Sequence, residues 1–465
     1  MALLTAGPLF RLIALAIALA ITLLASQAPA FAHANLVETS PAQRAVLPNA
    51  PEVVILRFNE TISALAFSFV TTDGSVLKPA SVEAMDREVR VQPPRNLPFG
   101  TSLMNYRVVS ADGHPVSGVL TFSIGAQQGE FKSSVTKDDS FVRQLIWLML
   151  WVFYTGVLGG LGGLYCRHWL CAPSPELSKS DYLTISLLVL GTLSCVLSIG
   201  LSGADALGLG LDAFIRSASW QEPWQTGWQL SSYNTFVIAG IALVLALILA
   251  LQQSLLTSQT GKRLASFFCL VLGCYALTLS GHASTAPPQA LTRLMVFLHA
   301  LGLALWVGAL PILYEHYRYA DGRGHLVLTR FSNLALPIVG IALSAGLVIS
   351  WIQLGEVASL WTTAYGRILL VKLTIVSIIL ALAALNRWLL TPRLTQNDMG
   401  AARALRRTIL GESIGVLLVM ALVSGWRFTP PPRALLVDQR EPIHVHIHSD
   451  AAMASVASRR DEKGR

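Results

Sequence analysis

Between Phe141 and Phe428 the sequence runs through eight long apolar stretches, at about 141–165, 183–203, 235–255, 263–281, 291–313, 331–353, 367–390 and 408–428. A helix needs roughly 20 apolar residues to cross the hydrocarbon of a bilayer, and these stretches reach that length. Composition agrees. Of 465 residues 53% are hydrophobic and only 13% charged, against roughly 25% charged in soluble proteins. One large soluble enzyme and a disordered chain are both excluded, and the excess apolar surface is expected to meet a lipid bilayer.

The formal charge of +8 does not point to nucleic acid, because of where the charges sit. The connections 166–181, 252–263, 314–330 and 386–407 hold 12 Lys and Arg, whereas 204–234, 282–293 and 354–367 hold only Arg216, Arg293 and Arg367. Positive residues favour the cytoplasmic side, so the first connections are read as inner and the second as outer. An even number of spans returns the tail, 429–465, to the outside. The five cysteines (Cys166, Cys171, Cys195, Cys269 and Cys274) all lie in or beside apolar stretches, so no disulfide framework is expected.

Ahead of the spans lie two further regions. Arg11, the run Leu12–Ala25 and the small-x-small end Ala30-Phe31-Ala32 make residues 1–32 a secretory signal cut before His33; an uncleaved anchor helix is the alternative. Residues 33–126 contain short segments rich in Val, Phe and Thr, punctuated by Gly, Pro, Asn and Asp, as in a β-sandwich or barrel. A polar linker, 127–140, follows. The expected fold is an N-terminal all-β sandwich or barrel followed by an all-α, eight-helix transmembrane bundle over 141–428.

The chemistry-bearing residues begin at the expected mature terminus. A terminal His33 offers an amine and an imidazole on one residue. Asp112 and His114 are two apart, so on an extended strand they share a face. Amine, two imidazoles and a carboxylate form a tetragonal N/O set suited to Cu(II) rather than Cu(I). Taken alone, the Asp-x-His pair also reads as a turn with a solvated histidine.

The segments HANLVETSPAQRAVLP, LRFNETI and VVSADGHPVSGVLTFSIG resemble the CopC family of periplasmic copper-binding β domains. That resemblance implies a cupredoxin-like or immunoglobulin-like domain with Cu(II) on His33, Asp112 and His114. It places Glu60 beside the metal as an outer or weak ligand. The Met-rich Cu(I) stretch of some members is absent here, where only Met85 and Met104 occur. The later segments LSGHAST, FLHALGLALWVGAL, RFSNLALPIVGIALSAGL and YGRILLVKLTIVSIILALAALNRW resemble the CopD membrane family. The order is that of a CopC–CopD fusion, which implies copper homeostasis and resistance at the bacterial inner membrane, with the β domain and tail periplasmic.

Within the spans, His299 lies about 10 Å below the outer end of the fifth, a depth at which an ionisable residue is a functional candidate. Met295, His299, Gly302 and Trp306 form one helical stripe, and Met295 with His299 could pass Cu(I) inward. A histidine hydrogen-bonded to a neighbouring helix in a Gly/Trp seam is the competing reading. His282 stands at the mouth. Lys372 is a second buried charge, or one that snorkels outward. Cys166 and Cys171 could receive Cu(I) at the inner end or be inert, and His168, His316 and His325 read as solvated or headgroup-facing. In the tail, His444, His446 and His448 alternate, so on a strand they share one face and offer a second copper-holding patch; an ordinary strand with exposed histidines is the alternative.

The reading is therefore a copper permease with a Cu(II)-capturing outer domain, not an enzyme. A periplasmic chaperone or reductase is the expected partner beside copper and lipid. A copper sensor or buffer on a non-transporting scaffold or redox partner is the alternative, and a haem held by His282 and His299 is a weaker third.

Overall fold

The computed structural model describes residues 36–59, 61–110, 115–125, 140–174, 176–210, 221–252, 255–256, 258–316, 322–394, 399–429, 431–433, 443–449 and 452–458. Nine strands occupy the N-terminal part: β1 (Leu36–Ser40), β2 (Ala45–Leu47), β3 (Val54–Phe58), β4 (Ile62–Val70), β5 (Val76–Leu77), β6 (Ser81–Met85), β7 (Glu88–Gln92), β8 (Gly100–Ser110) and β9 (Pro115–Ile124). They form a four-stranded sheet, β1-β3-β7-β6, and a five-stranded sheet, β2-β9-β8-β4-β5.

Burial alternates along β3, with Val54, Leu56 and Phe58 buried and Arg57 exposed, as the two-residue strand period requires. Val89 and Val91 from β7 join them, and Phe69, Met104, Val108, Leu120 and Phe122 from the other sheet complete one apolar cluster. Phe58 meets Tyr106 edge to face between the sheets, ring centroids 6.1 Å apart. The sandwich form of the β expectation is the one realised. On the outer face of the first sheet Arg57 pairs with Glu38 and Glu88, and Glu88 with Arg90, at 3.0, 2.9 and 2.7 Å.

Most of the described residues from Ser140 to Phe428 are helical. α1 (Ser140–Thr155) passes through a π-helical turn, Gly156–Leu161, into α2 (Gly162–Leu170). Then come α3 (Lys179–Leu207), α4 (Gln221–Gln229), α5 (Ser232–Leu251), α6 (Gln259–Ala276), α7 (His282–Thr285), α8 (Gln289–His316), α9 (Gly322–Leu354) and α10 (Ser359–Thr362). α11 (Ala364–Leu385) continues through a second π-helical turn, Asn386–Leu390, into α12 (Thr391–Leu394), and α13 (Met399–Gly425) ends the bundle. A hairpin of β10 (Ile443–Ser449) and β11 (Ala452–Ser458) lies in the tail.

Glycines let the first helix approach its neighbours backbone to backbone. A Cβ on Gly156 would lie 2.6 Å from the Gly191 Cα, and one on Gly162 would lie 2.0 Å from the Ala304 carbonyl oxygen. Such small-residue contacts replace the hydrophobic drive that helices lack among lipid tails. The apolar windows of α8 and of the α1–α2 helix are 67% and 56% buried, against 11% for α11–α12, so α8 is the central helix and α11 faces outward.

Each of the eight expected apolar stretches is a helix, but among the described residues only seven are long and apolar enough to cross a membrane. The exception is α6, 18 residues long, whose first five residues include Lys262 and Arg263 and which ends at Ala276 rather than near 281, so its apolar run is short.

The sandwich stands on one end of this bundle. The Arg107 guanidinium donates to the Asp205 carbonyl at 3.0 Å, near the C-terminal end of α3. Val109 packs with Ala206 and Leu230, and Leu65 joins them.

Candidate metal centre

His33, Glu60, Asp112 and His114 lie outside the described residues. Their described neighbours nevertheless converge. Leu36 opens β1 opposite Phe58 at the end of β3. Ile62 at the start of β4 pairs with Ser110 at the end of β8, and Val109 pairs with Pro115 at the start of β9. The strand ends that flank all four residues in sequence thus share one end of the sandwich. Val109 and Leu65 dock that same end on the bundle.

The bundle end below it carries His282. Leu230 in the docking cluster leads into α5, whose Thr235 hydroxyl is 2.8 Å from the hydroxyl of Ser280. Gly281, in the left-handed region at φ 93°, then turns the chain into α7, which begins at His282. A positive φ is open to glycine at little cost. Buried Arg293 braces α7 by donating from Nε to the Ser284 carbonyl at 3.0 Å.

One and a half turns further along α8 than Arg293 is His299, with half-buried Met295 one turn before it. Nδ1 of His299 lies 2.7 Å from the Ala342 carbonyl oxygen on α9. A carbonyl only accepts, so Nδ1 carries the proton and Nε2 keeps its lone pair. Gly346 makes room for this ring, since a Cβ there would come within 2.9 Å of it. The stripe anticipated on α8 is thus divided: His299 and Gly302 pack on α9, while Trp306 reaches α13. The hydrogen bond that orients His299 is compatible with a packing role, and equally leaves a nitrogen able to bind a metal, as backbone-anchored histidine ligands do.

Lys372 sits with its ammonium 5.0 Å from the ring of Trp426, which stacks on Tyr365 at 4.8 Å. In the tail hairpin His444, His446 and His448 occupy alternate positions of β10, opposite Ala457, Ser455 and Met453.

Two features were not anticipated. Buried Glu412, near the middle of α13, accepts a 2.6 Å hydrogen bond from the Asn386 side chain, with Trp306 on the same carboxyl. The Thr408 hydroxyl bonds to the amide oxygen of Asn386. A lone Glu between apolar neighbours was the available signal. The second is at the C-terminal end of α8, where His316 is packed rather than merely solvated: its Nε2 lies 3.9 Å from the Cys171 sulfur. No spacing reveals a pair 145 residues apart. Cys166, by contrast, is committed to the Leu305 carbonyl at 3.4 Å.

Residues 36–125 match the CopC domain family, and residues 325–426 match the family Copper resistance protein D. The copper transport protein CutJ of Bacillus subtilis (strain 168) is 29% identical over 430 residues, covering 86% of this chain and 75% of its own. Copper resistance protein C of Xanthomonas campestris pv. juglandis is 34% identical over 125 residues, 25% of this chain and 97% of that one. The crystal structure of CopC from Methylosinus trichosporium OB3b aligns at 24% identity and TM-score 0.19, covering 21% of this chain and all of that one. With a CopC domain at one end and a CopD domain at the other, the chain belongs to the CopC–CopD fusion family of copper transport and resistance proteins, built here on a multi-pass membrane bundle.

Proposed function

We propose that the sandwich captures Cu(II) outside the bacterial inner membrane and that the bundle moves copper inward along α8. His33, through its amine and imidazole, with Asp112 and His114, forms the capture site, and Glu60 lies beside it. Reduction precedes entry, because Cu(II) prefers the N/O set of the sandwich whereas a thioether accepts Cu(I). A periplasmic reductase supplies the electron for that step, and a copper chaperone hands copper to the sandwich. Copper then meets His282 at the mouth and Met295 and His299 within, and the tail histidines His444, His446 and His448 add holding capacity when copper is scarce.

The observation that supports this reading is the docking: the sandwich end that holds the strand termini next in sequence to His33, Glu60, Asp112 and His114 is the end seated on the bundle at Ala206 and Leu230. The orientation in the membrane rests on the basic inner connections.

The capture step is tested on the full chain beginning at His33. It should bind Cu(II) with a tetragonal EPR signal that weakens on acidification, because amine and imidazole must lose their protons to bind. One extra residue before His33 turns the amine into an amide and should weaken binding strongly. Equal binding by the extended chain overturns the assigned site.

A further inference from the structure

At the end of the bundle away from the sandwich, Cys171 closes α2 and His316 closes α8. The imidazole is oriented in the way metal-ligating histidines are. Nδ1 lies 2.9 Å from the Ile312 carbonyl oxygen, so it carries the proton and donates. Nε2 keeps its lone pair and faces the Cys171 sulfur across 3.9 Å. Metal–sulfur and metal–nitrogen bonds of first-row ions such as zinc are about 2.3 and about 2.0 Å, together about 4.3 Å. An ion on the line between these two atoms therefore needs them to part by only a few tenths of an ångström.

The two ligands are held in register by the surrounding contacts. Arg263 donates to the His168 carbonyl at 3.0 Å and Arg330 to the Leu170 carbonyl at 3.1 Å, which fixes the end of α2. Arg167 is tied to Asp181 at 2.8 Å. The Glu315 carboxylate, next to His316, accepts the backbone N–H groups of Lys179 and Ser180, both at 2.9 Å, and so locks the end of α8 onto the start of α3. Cys171, itself buried, also lines a pocket with Arg167, His168, Ala172, Asp181 and Lys262.

We propose that Cys171 and His316 form a two-coordinate Cu(I) site, the exit station for copper that has travelled along α8. The site rests on the permease reading for its place in the path, but its binding chemistry stands apart from it. Among the described residues no third His, Cys, Asp or Glu completes a cluster. A thiolate and an imidazole alone suit soft Cu(I), whereas structural Zn(II) takes four ligands. His299 and His316 lie 17 positions apart on one helix, about 26 Å at 1.5 Å per residue, so the site stands at the far side of the bilayer from the mouth. On binding, the Cys171 S–H bond breaks and an S–Cu bond forms. The copper stays Cu(I), and the proton passes to water in the pocket.

The test uses the full chain in detergent, loaded anaerobically with Cu(I) and titrated against a chromophoric Cu(I) chelator. Cys171→Ser and His316→Gln should each lose the same single equivalent of Cu(I), and the double variant should lose no more than either. Cys171→Met, which keeps a soft sulfur, should retain it, and Cys195→Ser should match the wild type. Cu(I) should also protect Cys171 from maleimide in the wild type but not in His316→Gln. Unchanged stoichiometry in His316→Gln, or equal protection of Cys171 in that variant, overturns the site. If those results appear while uptake into proteoliposomes is normal, the exit site fails and the permease reading stands. If the equivalent is lost as described but no variant, nor the wild type, carries copper, the site stands and the permease reading fails.

Discussion

The sandwich and the bundle treat polar side chains in opposite ways. In the sandwich the core is apolar, and the charges of Glu38, Arg57, Glu88 and Arg90 are laid out on the surface of the first sheet. In the bundle the outward surface of α11 to α13 is apolar, and ionisable groups are drawn inside: Arg293 and Glu412 are buried, and His299 is turned onto a backbone carbonyl. Water makes an exposed ion pair worth little, about 0–1 kcal/mol. Lipid makes an unsatisfied polar group expensive, so each buried one needs a partner. Arg293, His299 and Glu412 each meet such a partner inside the bundle, and His299 and Glu412 are candidates for handling an ion.

The largest loss of stability is expected at the apolar core of the sandwich. Phe122, fully buried, should cost about 3–5 kcal/mol when replaced by alanine. Chemical denaturation of the sandwich should show it, and a loss below about 1 kcal/mol would mean the two sheets are not packed as described.

A smaller effect is expected at the helix crossing in the bundle. A Cβ on Gly308 would fall 2.1 Å from the Gly162 backbone. Gly308→Ala forces α8 and α2 apart and should cost about 1–3 kcal/mol, read as earlier thermal aggregation in detergent. An unchanged midpoint would show the crossing to be loose.

Glu412 sharpens the contrast. Glu412→Leu leaves the Asn386 amide N–H group without its acceptor, which should cost about 1–3 kcal/mol. Glu412→Gln keeps a side-chain oxygen there and should cost less. Equal stability in both variants would mean that satisfaction of that group does not matter.

The smallest effect belongs to the surface ladder. Arg57→Ala should change stability by no more than about 1 kcal/mol, and less still in high salt. Hydrogen bonds from Arg90 and Arg57 hold the Glu88 carboxyl below its usual pKa. Its contribution is therefore present above the unfolded-state pKa and fades as pH falls through the lower folded one. Urea midpoints of the wild type and Arg57→Ala should converge on acidification through that range, and a gap that widens there would contradict the ladder.

Much of this was legible in the sequence because its determinants are local. Alternating Val54, Leu56 and Phe58 announce a half-buried strand, and the apolar stretches announce spans. The end of α6 was not legible, because residues 277–281 read as a continuation of its apolar stretch although the helix stops at Ala276. The partner of His299 was not legible: an apolar stripe gives the face of a helix but not which carbonyl meets it. Nor could spacing pair Cys171 with His316, because their meeting depends on how α2 and α8 cross at Gly162 and Gly308.

Whether copper passes through the bundle by way of His299 is read from copper uptake into proteoliposomes. His299→Ala should abolish uptake while the protein inserts at normal levels, since a charged ion at that depth costs several kcal/mol unless coordinated. His282→Ala, at the mouth, should slow uptake and raise the copper concentration for half-maximal rate, and Cu(II) binding by the sandwich should be unchanged in both. Normal uptake in the double variant would contradict the claim and leave the helices as a scaffold for the copper-binding sandwich.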